Sequence, residues 1–135
     1  MTPPLLSIQD LSVHIRGDAG LAQILDGISL SVPPGVTMGV VGESGCGKST
    51  LLRAVLGILP GNASLPRGKI EFKGKDLIAD HWVSARGRIG FVPQDPYLSL
   101  NPVFRAGDQI LEIMRNHAPG MRKDHTKTLI DLFRA

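Results

Sequence analysis

Residues 42–50 read Gly-Glu-Ser-Gly-Cys-Gly-Lys-Ser-Thr, a full match to G-x-x-x-x-G-K-[ST]. No other stretch limits the fold so tightly, because the pattern demands a buried strand before it and a helix after it. The flanking sequence offers both. Residues 36–41 form a short apolar run, which suits a central parallel strand covered on both faces. Residues 49–59 place Leu52, Val55, Leu56 and Leu59 at helical spacing, and Pro60-Gly61 predicts the stop.

The chemistry explains each position. A triphosphate concentrates several negative charges in a small volume. Gly42, Gly45 and Gly47 let the backbone curl around it, since they tolerate positive φ and carry no side chain. The main-chain amides of Glu43, Ser44, Gly45, Cys46 and Gly47 then point inward as an anion nest. The helix that follows adds unpaired N–H groups and the positive end of its dipole. Lys48 is placed to reach the β- and γ-phosphates, Ser49 to offer its hydroxyl to Mg²⁺, and Thr50 to hold the α- or β-phosphate. Cys46 is read as a small side chain at a variable position of the loop.

Around this centre the chain alternates between two periods. Leu11, Val13 and Ile15 predict a half-buried strand. Leu6 and Ile8 lie in the opposite phase, so a bulge is expected near Gln9. Residues 16–20 read as a turn. Ile24, Ile28, Leu30 and Val32 predict a second strand, ended by Pro33-Pro34-Gly35, where Gly35 supplies a positive φ. Residues 69–72 predict a strand with a turn at Gly74, and residues 88–92 another. Residues 108–117 predict a helix with Ile110, Ile113 and Met114 on one side. Pro119-Gly120 breaks it, and residues 123–135 begin a further helix.

Composition excludes several classes. The chain has 135 residues, room for one domain at most, and a net charge of +3. The pairs Arg86/Arg88 and Arg122/Lys123 are too short to make a nucleic-acid stripe. One cysteine, Cys46, allows no internal disulfide. The first ten residues show no secretory signal, and no apolar run reaches the ~18 residues of a membrane span. Neither N-K-x-D nor D-x-x-G, expected of a guanine-nucleotide switch, occurs.

The stretch Phe91-Val-Pro-Gln-Asp-Pro-Tyr-Leu-Ser-Leu-Asn-Pro102, taken with residues 41–52, closely resembles the ATP-binding subunits of ABC transporters. Gln94-Asp95-Pro96 and Ser99-Leu100-Asn101-Pro102 are similar to the Q-loop region of the oligopeptide, dipeptide and nickel importers. Residues 5–13 and 24–30 resemble the opening strands of that subfamily. The resemblance implies an α/β fold, a P-loop NTPase of the ABC ATPase type. Residues 1–35 would form N-terminal strands of an antiparallel β-subdomain. Residues 36–102 would form the core from P-loop to Q-loop, part of the parallel sheet, and residues 103–135 the start of the helical subdomain. It implies ATP and Mg²⁺ as cofactors. Gln94 would ligate Mg²⁺ or orient the attacking water. The partners implied are integral-membrane permease subunits and a second ATP-binding subunit, in a homo- or heterodimer, with no nucleic acid. The expected location is the cytoplasmic face of the plasma membrane, held there through partner subunits.

Departures from the family pattern shape three further expectations. The position where the family stacks adenine on an aromatic falls at His14-Ile15-Arg16, so Ile15 would give dispersion contact only. The C-terminal half of the pattern is missing: no L-S-G-G-Q, no Asp-Glu dipeptide and no switch histidine occurs, and His117 and His125 are expected at the surface. Residues 36–41 would then carry an uncovered edge and make the fragment sticky. The implied function is the N-terminal portion of an ABC importer's ATP-binding subunit, coupling ATP to uptake of peptides, nickel or a similar solute. Without a signature or a base, the chain is expected to show no turnover alone. A nucleotide-binding module without hydrolysis and a non-transport ABC ATPase are the alternatives.

Overall fold

The computed structural model describes residues 3–95, 99–117 and 125–134. It divides into two compact units, Met1–Ile89 and Gly90–Ala135.

The first unit is built on a four-stranded antiparallel sheet ordered β2-β1-β3-β4. β1 (Leu6–Gly17) and β2 (Gly20–Val32) form a hairpin closed by the two residues Asp18 and Ala19. β3 (Ala63–Phe72) pairs with the other side of β1, and β4 (Lys75–Asp76) returns through a tight turn. In that turn Lys73 and Gly74 both have positive φ, 52° and 76°, which matches the twist of the flanking strands. β3 starts six residues before the predicted strand. Pro66 and Gly68 hide its period in the sequence; pairing with β1 supplies what local propensity does not.

The phase break between Ile8 and Leu11 is a bulge. Between these residues β1 advances three positions while β2 moves from Leu30 to Ile28. Asp10 takes up the extra residue at φ 50°, a conformation that Asp tolerates better than most. Ile8 and Leu11 therefore both face the core, where alternation alone would have exposed one. Gly68 lies across from the bulge at φ 109°; a Cβ there would fall 2.4 Å from Leu11 Cα. The Arg67 guanidinium pairs with Asp10 at 3.0 Å and Asp26 at 3.4 Å over the same region.

α1 (Lys48–Leu56) closes the core from the sheet's apolar face. Leu51, Ala54 and Val55 are buried there beside Ile8, Leu11, Val13, Leu25, Ile70 and Phe72. Of the expected face, Val55 is buried and Leu56 and Leu59 half-buried, but Leu52 is 52% exposed and Leu51 turns inward in its place. Leu51, Leu52, Ala54, Val55 and Leu56 make the helix apolar over most of its circumference, so spacing alone could not fix its rotation. The helix also ends earlier than Pro60. Gly57, at φ 69°, donates to the Ala54 carbonyl at 3.2 Å, and Ile58 donates to Arg53 at 3.0 Å, a Schellman cap. Trp82 seals this end. Its indole donates to the Val55 carbonyl at 3.0 Å, and its ring lies 2.6 Å from where a Gly57 Cβ would stand.

Residues 36–41 and 88–92 do not form the expected strands. A parallel strand exists through its ladder, and among the described residues none runs alongside either segment. Val41 is 93% exposed and Val92 89%.

In the second unit, α2 (Ala106–His117) and α3 (His125–Arg134) pack together, with Gly107 facing Leu129. Ile110, Leu111 and Met114 are half-buried, whereas Ile113 is exposed, contrary to expectation. His125 is likewise buried rather than on the surface, at 6% exposure, with no hydrogen-bond partner for Nε2 among the described residues. It stands one turn before Leu129 on the same helix face, so its burial follows from the docking of that face.

Candidate functional site

The loop between β2 and α1 gathers the glycine-rich motif at one helix end. Gly45 has φ 82° and Gly47, the N-cap of α1, has φ 97°. Both need left-handed backbone, the region in which glycine meets no Cβ penalty. Gly42 differs: no left-handed φ holds it, and a Cβ there would lie 2.7 Å from Cys46 Sγ, an exposed side chain that would have to turn aside. The Cys46 amide donates to the Glu43 carbonyl at 3.3 Å, which tightens the turn, and Leu51 donates to Gly47 at 2.9 Å, the first helical bond.

The electrostatics suit an anion. α1 has no side-chain N-cap hydrogen bond and no acidic residue in its first turn. Its free amides are therefore uncompensated within the helix. The Lys48 ammonium is folded into the loop, donating to the carbonyls of Gly42 at 2.7 Å and Glu43 at 2.6 Å, with Cys46 Sγ at 3.5 Å. Glu43, Ser44, Gly45, Cys46 and Ser49 are exposed, and Thr50 is half-buried. The left-handed glycines, the uncapped helix start and the inward cation fit a polyphosphate; the exposed Ser49 hydroxyl beside them fits a hard cation that accompanies it.

The remaining expected residues lie elsewhere. Ile15 sits on β1 opposite Ala22 and Ala63, half-buried and packed against the core. His14 is half-buried, opposite Gln23 and Ser64. Gln94 is exposed in the second unit. Pro96, Tyr97 and Leu98 lie outside the described residues.

Sequence reading did not find Gln109. Its amide oxygen accepts from the Asn101 amide at 2.9 Å, and its Nε2 donates to the carbonyls of Asn101 at 3.0 Å and Phe104 at 3.1 Å. Asn101 Oδ1 in turn accepts from Val103 at 3.0 Å. The stretch after Gln94 is thus tied to α2 by one side chain. Only the polar character of a lone Gln within an amphipathic helix could have hinted at it. A cavity of about 320 Å³ lies at the opposite end of α1 from the loop, lined by Gly57, His81, Trp82 and Arg86 among others.

The fold of the first unit and the loop at the start of α1 define a P-loop nucleotide-binding domain. The family described as ABC transporter matches residues 25–133, and the chain belongs to that family. It is 44% identical over 124 residues to the oligopeptide transport ATP-binding protein OppD of Mycobacterium tuberculosis, covering 89% of this chain and 20% of that one. It is 38% identical over 135 residues to OppF of Salmonella typhimurium, also an oligopeptide transport ATP-binding protein, covering 91% and 39%. It is 35% identical over 133 residues to the dipeptide transport ATP-binding protein DppD of Lactococcus lactis, covering 95% and 38%. The chain thus spans between a fifth and two-fifths of these relatives. No described helix is long and apolar enough to cross a membrane.

Proposed function

We propose that this chain carries the ATP-holding portion of the ATP-binding subunit of a peptide importer. The observation that supports this best is the Lys48 ammonium, set inside a loop of left-handed glycines at an uncapped helix start. The main-chain amides of residues 43–50 bind the phosphates, and Lys48 exchanges its carbonyl partners for phosphate oxygens. The Ser49 hydroxyl would hold magnesium, which would supply charge neutralisation at those phosphates. Ile15 offers its side chain to the base. The relatives' names, all peptide-transport ATP-binding proteins, support a peptide solute. They also support membrane permease subunits and a second ATP-binding subunit as partners, at the cytoplasmic face. The core of residues 36–102 and the helical start of residues 103–135 then act as parts of one larger domain.

Calorimetry of the 135-residue chain with magnesium and a non-hydrolysable ATP analogue tests the reading, with Lys48→Ala as control. The expected result is a binding heat that the substitution abolishes. No heat in the unmodified chain, or equal heat in both, would overturn it.

A further inference from the structure

We infer that Leu25 is a positioning residue for the phosphate-binding loop. The inference rests on the nucleotide reading above and names a residue outside the motif on which the loop's geometry depends. Leu25 belongs to β2 and is 5% exposed. A Cβ placed on Gly47 would lie 2.7 Å from Leu25 Cδ2 and 3.2 Å from the Ile24 carbonyl oxygen. The turn into α1 therefore packs closely over Leu25 Cδ2 and Ile24, with no room for a Cβ between them.

Three features hang on that seat. Gly47 holds φ 97° as the N-cap of α1. Its carbonyl accepts the first helical hydrogen bond, from Leu51 at 2.9 Å. Lys48 follows directly, with its ammonium on the carbonyls of Gly42 and Glu43. Leu25 fixes how deep Gly47 sits, and so where the loop amides and Lys48 point. Shortening Leu25 lets the turn sink or rotate by a few tenths of an ångström. A well-packed interior transmits such shifts, and a binding constellation tolerates only small ones. Leu25 acts through Gly47.

The test compares Leu25→Val with Ile70→Val, which trims the same core from β3. Two measurements are made on the 135-residue chain. The first is amide exchange of Leu51 without nucleotide, referenced to Arg16, whose amide donates to Asn62 away from both substituted positions. The second is affinity for Mg·ATP by calorimetry. Leu25→Val is expected to speed Leu51 exchange about tenfold relative to Arg16, and to weaken Mg·ATP about tenfold. Ile70→Val is expected to move neither ratio, and Leu25→Met to restore both. Matching Leu51 exchange in the two valine variants would overturn the inference. So would unchanged affinity in Leu25→Val. If the unmodified chain binds no Mg·ATP, the nucleotide reading fails, while the exchange data still decide the role of Leu25. Should Leu25→Val not fold, Leu25→Ile, which keeps the volume and moves the methyl branch, is read by the same two criteria.

Discussion

The ammonium nitrogen of Lys48 lies 2.7 Å from the carbonyl oxygen of Gly42, six residues earlier in the chain. A cation so placed ties the loop to itself, and under the proposed function it would exchange main-chain oxygens for phosphate oxygens on nucleotide binding. These contacts are solvent-exposed, so they add little to folding. Lys48→Ala is expected to change unfolding free energy by less than about 1 kcal/mol. Triphosphate affinity is expected to fall roughly 100-fold, as for loss of charge-assisted hydrogen bonds. Urea unfolding and calorimetry on the same protein separate the two effects. A variant that unfolds far more easily would assign Lys48 a structural role instead.

Cys46 Sγ stands 3.5 Å from the same ammonium and is exposed. Saturating Mg·ATP is expected to slow its labelling by N-ethylmaleimide, because phosphates in the loop would cover it. Mass spectrometry of timed samples reads this directly. Equal labelling rates with and without nucleotide would mean that the ligand lies elsewhere.

Gly68 faces the β1 bulge at φ 109°, where a Cβ would meet Leu11 Cα at 2.4 Å and the Asp10 carbonyl at 2.7 Å. Both neighbours are backbone and cannot swing aside. Gly68→Ala is expected to cost roughly 2–4 kcal/mol, the range of core overpacking combined with backbone strain. Gly61→Ala, where a Cβ would touch nothing within 4 Å, serves as control and is expected to be near neutral. Thermal melts of the two variants make the comparison.

Trp82 is half-buried and caps the far end of α1 through its hydrogen bond to Val55. Trp82→Phe removes the donor and leaves the Val55 carbonyl without it. A loss of about 1 kcal/mol is expected, the usual net worth of such a bond. Denaturant midpoints measured by circular dichroism check this. A loss of zero would mean that water replaces the indole at no cost.

Gln109 makes three hydrogen bonds that tie residues 101–104 to α2. Gln109→Ala is expected to speed exchange of the Asn101 amide about tenfold, as loss of roughly 1 kcal/mol of local stability requires. Amides in β1 should be unaffected. Faster exchange throughout β1 would show instead that the loop supports the first unit.

Much was legible without coordinates. The opposite phases of Ile8 and Leu11 announced the bulge, because a strand's period of two leaves no other way to bury both. Gly35 and Gly74 marked turns that do use positive φ, at 72° and 76°. The inward place of Val55 on α1 was legible, but not that of Leu51, since Leu51 and Leu52 are chemically equivalent and only contact with the sheet selects Leu51. The burial of His125 was missed because a histidine carries no preference strong enough to outweigh which helix face docks.

The sequence by itself determined the glycine-rich turn into α1, with its left-handed Gly45 and Gly47 and its lysine, because φ restrictions and charge act within a few residues and need no partner from afar. Tertiary structure decided where that loop rests. The closeness of Leu25 to Gly47, of Gly68 to Leu11 and of Trp82 to Gly57 joins residues far apart in the chain, and no local pattern encodes a distance that exists only after strands pair and the helix docks.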